Sequence, residues 1–151
     1  MQLTGERVIP APIEKTWAAL NDPEILKASI KGCESLEKTG DDEFMAALKI
    51  KIGPVNARFK GKLNLENVQP PNSYTIRFEG QGGVAGFGKG SADVSLESQG
   101  DTTLLKYESN AQVGGKIAQI GSRLVDSAAS KIAQEFFAEF EQQIGSSDTA
   151  A

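Results

Sequence analysis

The sequence contains no histidine. Without an imidazole there is no Ser-His-Asp or Cys-His nucleophile and no histidine metal ligand. The usual general base near neutral pH is missing too. Cys33 is the single cysteine, so the chain makes neither an internal disulfide nor a thiolate zinc site. As a small hydrophobe, Cys33 is expected in the interior. No apolar run approaches the roughly 18 residues that a membrane span needs. The opening MQLTGERVIP has neither the basic nor the apolar part of a signal peptide. These absences point to a cytoplasmic protein without a metal or cofactor, and away from enzymatic catalysis.

What remains is a chain of 151 residues, 39% hydrophobic and 24% charged, with a net charge of −4. That suits one globular domain with a substantial core. The domain is expected over residues 1–145, with the polar tail SSDTAA (146–151) frayed.

Residues 3–9 read as a first strand. Pro12 suits the first turn of a helix that places Ile13, Trp17 and Leu20 on one side, Trp17 being expected as a core anchor. Asp22 can cap a second helix, with Pro23 at its first position and Gly32 beyond its end. From Ser35 to Val113 the apolar period is two. Gly53-Pro54 suits a two-residue II′ turn, which sets a register: Ile52 faces Val55, Ile50 Ala57, Leu48 Phe59, Ala46 Gly61 and Phe44 Leu63. Every facing pair is apolar or small. Further strands carry Tyr74, Ile76 and Phe78; then Ala92, Val94 and Leu96; then Thr103, Leu105, Tyr107 and Ala111.

After Gly114-Gly115 the period returns to 3.6, with Ile117, Ile120, Leu124, Ala128, Ile132, Phe136 and Phe140 on one stripe, broadened by Val125 and Phe137. One helix is expected from there to about Ile144. The elements add up to an α+β fold in which a curved antiparallel seven-stranded sheet wraps a long C-terminal helix, with two short helices after the first strand.

Six glycines lie between Gly80 and Gly90, and Gly83 to Lys89 matches a phosphate-binding loop until the next position. There Gly90 stands where a magnesium-binding hydroxyl is required. The residues that follow alternate as a strand, whereas a phosphate loop must open a helix. A flexible connection fits the segment better than a nucleotide site.

The stretches TWAALNDPEILKASIKGCESLEK, KIGPVNARFKGKL, PPNSYTIRFEGQGGVAGFGKGSADVSLE and AQVGGKIAQIGSRLVDSAASKIAQEFFAEF can be read together. They resemble the CoxG family of carbon monoxide dehydrogenase accessory proteins, within the START-like, helix-grip group. The likeness runs from Gly5 to about Phe140. Lys31-Gly32-Cys33 replaces a proline-glycine-cysteine turn associated with the family. Some relatives continue into an apolar tail suited to membrane anchoring; here the long helix is followed only by SSDTAA, so anchoring by such a tail is not expected. The resemblance implies a non-catalytic accessory protein of a molybdenum hydroxylase such as carbon monoxide dehydrogenase. Such a protein links the enzyme to the membrane or quinone pool and binds a quinone or lipid in an internal cavity.

Alternate turns of an antiparallel meander share one end of the sheet. The Gly53-Pro54 turn, the Gly80–Gly88 connection and the Gly114-Gly115-Lys116 segment therefore fall together. A mouth lined by Ile52, Pro54, Gly83, Gly86, Lys89 and Lys116 is expected there. The inner wall then comprises Phe59, Leu63, Phe78, Phe87, Leu105 and Tyr107, with Ile120 and Leu124 from the helix. A filled core would use the same inward set; the resemblance favours a cavity. On the outward face Lys49, Lys51, Arg58, Lys60 and Lys62 gather basic charge against the overall balance, and Arg77 joins them. They form either a solvated face or a docking face for an acidic partner or anionic lipid. With no outward aromatics interleaved, nucleic acid is not the expected partner. The alternatives to the accessory role are a cavity enzyme of the polyketide cyclase/aromatase type and a ligand-free assembly factor. Arg7 and Tyr107 are the inward polar groups an enzyme would have to use.

Overall fold

The computed structural model describes residues 2–149, with side chains through Gly145. Chain order is β1 (Gln2–Ile9), α1 (Ile13–Leu20), α2 (Pro23–Ser29), β2 (Cys33–Gly40), β3 (Glu43–Ile52), β4 (Val55–Gln69) and β5 (Ser73–Gln81). A 3-10 turn (Gly83–Ala85), β6 (Phe87–Gln99), β7 (Thr102–Gly114), α3 (Lys116–Gln119) and α4 (Ser122–Thr149) follow. The strands form one antiparallel sheet in the order β1-β7-β6-β5-β4-β3-β2. Consecutive strands from β2 to β7 are neighbours, while β1 and β2 lie at opposite edges. The two short helices carry the chain between those edges, across one end of the sheet.

Local chemistry accounts for the joints. Gly53 has φ +54°, which a hairpin turn of this kind requires, and Pro54 follows it. The resulting pairs are Ile52 with Val55, Ile50 with Ala57, Leu48 with Phe59, Ala46 with Gly61 and Phe44 with Leu63, as the turn chemistry predicts. Asp22 accepts a hydrogen bond from the Glu24 amide at 2.9 Å and caps α2, with Pro23 in the first turn. Thr16 of α1 and Thr103 of β7 are fully buried and bonded to each other at 3.3 Å. Thr103 donates to the Ala11 carbonyl at 2.8 Å, and the Thr16 hydroxyl lies 3.3 Å from the same oxygen, so the pair pins α1 to the sheet.

The C-terminal helix departs from the expected single rod. Gly121, at φ +100°, breaks it into the four-residue α3 and the 28-residue α4. Helix α4 also continues beyond Ile144 to Thr149, through the beginning of the expected tail; residues 150 and 151 lie outside the described residues.

Most buried apolar residues fall into two separate clusters. At the end covered by α1 and α2, which we call the floor, Leu20, Tyr74, Val94, Leu96, Leu105 and Ile9 pack beneath Phe137, Phe140 and Ile144 of α4. Trp17 meets Tyr74 edge-on at 5.3 Å in this cluster. At the opposite end Phe59, Ala85, Ile117 and Val125 form a smaller cap.

Candidate functional site

Between floor and cap, two cross-strand rows face the helix. One runs Ala46–Gly61–Gly80–Gly88; the next runs Phe44–Leu63–Phe78–Gly90–Ala111. Apart from Phe44, none of these residues is fully buried, although all point inward. A Cβ built on Gly61 would find only the Glu79 carbonyl oxygen, at 3.5 Å, within 4 Å. On Gly80 it would meet the Lys60 carbonyl oxygen at 3.7 Å and the Gly61 Cα at 4.0 Å. On Gly88 it would meet Val113 Cγ1 at 3.8 Å and the Gln112 carbonyl oxygen at 3.9 Å. All of these atoms belong to the sheet, so α4 does not close over the glycine row.

The helix contributes to the gap from its own side. Between Val125 in the cap and Phe137 in the floor, the half-buried residues are mostly small: Ala128, Ala129, Ser130 and Ala133. That stretch spans about 18 Å at 1.5 Å per residue. Asp126 lies eleven residues before Phe137 and fourteen before Phe140, hence on their face of the helix, yet it is exposed. Between Val125, packed in the cap, and Phe137, packed in the floor, the small residues of α4 leave the inner space accessible. Small residues in the middle and large ones at both ends produce a hollow.

Polar groups near the floor are engaged within the fold. Arg7 donates from Nε and Nη2 to Glu141 Oε2, at 3.0 and 2.7 Å, and its guanidinium carbon lies 5.8 Å from the Phe137 ring centre. Tyr107 stacks on Phe137 at 5.4 Å with planes 28° apart, and its ring lies over Gly5 on the edge strand. Burial pushes the Tyr74 phenol well above its ordinary value. Cys33 is half-buried; desolvation raises its thiol, against the lowering pull of Lys27 and of a backbone hydrogen bond at Ser35.

The expected wall residues do not all share one space. Leu63 and Phe78 are paired across β4 and β5 and border the hollow directly. Phe59 and Ile120 belong to the cap, with Phe59 beneath Gly82. Leu105 is fully buried in the floor, and Tyr107 packs at its margin. Phe87 departs from expectation. It alternates oppositely to Gly88, Gly90 and Ala92, its ring covers Gly114, and it is 45% exposed. Leu124 also lies outside the wall, 43% exposed above Gly53. The reason is rotational: each i to i+4 step turns 40° past a full circle, so the steps from Leu124 to Phe140 accumulate about 160°. Leu48, Ala111, Ala129 and Ala133 were missed as site residues; the signal for Leu48 was its inward register opposite Phe59, and for the alanines small size at inward positions.

The expected mouth residues are brought to one end. The β3–β4 turn with Ile52 and Pro54, the Gly83–Ala85 turn and α3 with Lys116 surround the cap. The glycine segment is an ordered turn. The Gly82 amide donates to the Gly86 carbonyl at 2.8 Å, while Ala85 and Gly86 donate back to Gly82 and Gly83 at 3.1 Å. Ala85 is buried in the cap. Gly86 has φ +116°, and any side chain there would run into the Gly114 carbonyl. Lys89 stands on the outer face two residues beyond Phe87.

Outside the sheet there are shallow polar depressions. One of about 790 Å³ is bordered by Thr4, Glu6, Thr75, Asp93, Lys106 and Glu108. Another of about 630 Å³ is bordered by Lys62, Arg77, Glu79, Lys89 and Gln112. Both lie on the face away from α4, and their charged borders suit solvent better than an apolar guest. On that face Lys49 is opposite Arg58, as the register requires. Arg58 reaches Glu34 at 3.1 Å, Lys62 reaches Glu43 at 3.7 Å and Arg77 bonds Glu66. Lys49, Lys51 and Lys60 have no ion pair among the described residues. No helix among the described residues is long and apolar enough to cross a membrane, and no cluster of Cys, Asp and Glu side chains there could hold a metal ion.

The family model of the carbon monoxide dehydrogenase CoxG subunit matches residues 5–145. Among solved structures, a conserved protein from Geobacillus kaustophilus is 32% identical, covers 97% of each chain and superposes with a TM-score of 0.91. A START superfamily protein from Mycobacterium smegmatis is 14% identical over 96% of this chain and 97% of its own, with a TM-score of 0.73. An aromatase/cyclase from a Streptomyces species shares 10% identity over 96% and 93% of the two chains, with a TM-score of 0.65. The last two establish the START-like, helix-grip fold. No curated protein matches the chain.

Proposed function

The chain belongs to the CoxG family of carbon monoxide dehydrogenase subunits, and from that premise we propose that it is a non-catalytic carrier serving a molybdenum hydroxylase of the carbon monoxide dehydrogenase type. Its guest is a hydrophobic molecule, a quinone or a lipid, held between α4 and the glycine row of the sheet. Its task is to connect the enzyme with the membrane or the quinone pool. The observation that carries this reading is the uncovered row Gly61–Gly80–Gly88 between two packed clusters. An apolar space bordered by Leu48, Leu63 and Phe78 and open to one side is the environment that an apolar ligand gains most from entering.

The non-catalytic reading draws support from the inward polar groups. Arg7 is held by Glu141, and Tyr107 is stacked on Phe137 over Gly5. A cyclase would need a free acid or base positioned at the guest. The test is native mass spectrometry and solvent extraction of the purified chain, followed by saturable binding of a quinone analogue to the extracted protein. A stoichiometric apolar molecule and one saturable site are expected. A protein that carries nothing and binds the analogue without saturation refutes the carrier role. Turnover of a bound polyketide substrate would favour the cyclase reading instead.

A further inference from the structure

One inward row of the sheet is interrupted by a polar side chain that the fold does not use. The row runs Leu65–Ile76–Ala92–Ser109–Leu3, beside the row of Leu63 and Phe78 that borders the hollow. Ser109 is half-buried in it, and its hydroxyl makes no hydrogen bond among the described residues. Helix α4 offers a second such group. Ser130 lies seven residues before Phe137, two turns away on the same face, half-buried and likewise unbonded. No buried side-chain oxygen or nitrogen among the described residues lacks a partner, so both hydroxyls reach open space.

The two serines stand at nearly one level of the hollow. Tyr107 of β7 stacks on Phe137 of α4 at 5.4 Å, which fixes the height of strand against helix. From Tyr107, Ser109 is two residues nearer the cap, about 7 Å along the strand. From Phe137, Ser130 is seven residues nearer the cap, about 10 Å along the helix. A guest lying between sheet and helix therefore meets one hydroxyl from each wall. The charges on the inner side are equally informative. Inward positions of β1 and of β3 to β7 carry no lysine, and their one arginine, Arg7, is committed to Glu141. No free cation of the sheet thus waits for a carboxylate or phosphate. Asp126 lies one turn before Ser130 on the face of Phe137, exposed and without an ion pair among the described residues.

We propose that Ser109 and Ser130 seat the polar end of the guest by donating to uncharged carbonyl oxygens, and that Asp126 turns away guests with an anionic head. Two hydroxyls without a cation satisfy neutral oxygens, whereas a carboxylate or phosphate at the same place would be unpaired and repelled by Asp126. The inference rests on the carrier reading and narrows its guest. A quinone or another neutral carbonyl compound fits; a fatty acid or an anionic phospholipid does not. The apolar remainder of the guest then lies along Gly61, Gly80 and Gly88.

Equilibrium binding of three probes to the solvent-extracted full chain tests the proposal: decylubiquinone, dodecanoate and decylbenzene. All three carry a comparable alkyl chain; the first has neutral carbonyls, the second an anionic head and the third no oxygen. The parent should bind the quinone about tenfold more tightly than either of the others. In the Ser109→Ala/Ser130→Ala double variant the quinone's advantage over decylbenzene should disappear, through a loss of about tenfold in quinone affinity. Asp126→Asn should narrow the preference for quinone over dodecanoate by about fivefold. Dodecanoate bound by the parent as tightly as the quinone, or a quinone advantage over decylbenzene that survives the double variant, overturns the proposal and leaves the carrier standing. A double variant that weakens both of those probes alike does the same, since it marks a structural role for the serines. A parent that binds none of the three saturably refutes the carrier, and the proposal with it.

Discussion

Replacing Gly61 by valine places a branched side chain in the middle of the glycine row, and the sign of its effect distinguishes a hollow from a filled core. Gly61 is interior to β4, paired with Ala46 and Gly80, and its φ is not positive, so valine fits the backbone. Removing glycine's freedom in the unfolded chain contributes about 0.5–1 kcal/mol. The two Cγ methyls, half-buried against Leu48 and Phe78, add about 0.8 kcal/mol together. Net stabilisation of about 1.5 kcal/mol follows, or a Tm higher by about 3–6 °C for a chain of this size. Had α4 packed onto the row, the same methyls would overfill the core and destabilise by about 1–3 kcal/mol.

The assay is urea and thermal unfolding of solvent-extracted protein, because a retained guest would stabilise the parent and mask the gain. Binding of the quinone analogue is measured in parallel and should weaken by about tenfold, about 1.4 kcal/mol, since valine occupies the guest's space. A variant less stable than the parent by more than about 1 kcal/mol refutes the hollow. A stabilised variant with unchanged analogue affinity would keep the hollow and move the guest elsewhere.

Two further outcomes follow from the ends of the molecule. Tyr74 keeps its proton in the folded protein at pH values where the unfolded chain loses it, so stability falls as pH rises above about 10, by about 1.4 kcal/mol per unit. Tyr74→Phe should remove that share of the alkaline slope in urea titrations at successive pH values, and an identical slope would contradict the assignment. Gly86→Ala forces a methyl toward the Gly114 carbonyl at φ +116°. It should cost about 1–3 kcal/mol and expose the cap, seen as faster amide exchange over residues 82–88, whereas a parent-like protection pattern would show that the turn tolerates the strain.

The sheet was readable because its instructions are local. Gly53-Pro54 fixes one hairpin, and an alternation of period two then assigns every side chain on β3 and β4 to a face, including the adverse Lys49–Arg58 pair. The order of the remaining strands follows from short connections between neighbours. The helix was less readable, since one glycine inside an apolar stripe can either continue a helix or break it. Gly121 breaks it, in a left-handed conformation that no pattern of neighbours announces.

The candidate site was legible only in part, because a search for apolar inward residues finds walls and not the space between them. Phe59, Leu105 and Tyr107 satisfied that search and belong to the packed ends. The space is marked by residues with almost no side chain: Gly61, Gly80 and Gly88 on the sheet, with Ala129 and Ala133 facing them. Glycine within a strand usually signals a bulge or close backbone approach, and at Gly86 it does. At Gly61 and Gly80 the nearest atoms are those of adjacent strands, and no helix approaches. The same residue type therefore closes the cap at one position and opens the interior at the other. Only the distance across to α4 tells the two uses apart, and that distance depends on large aromatics at the floor holding the helix where its alanines cannot follow.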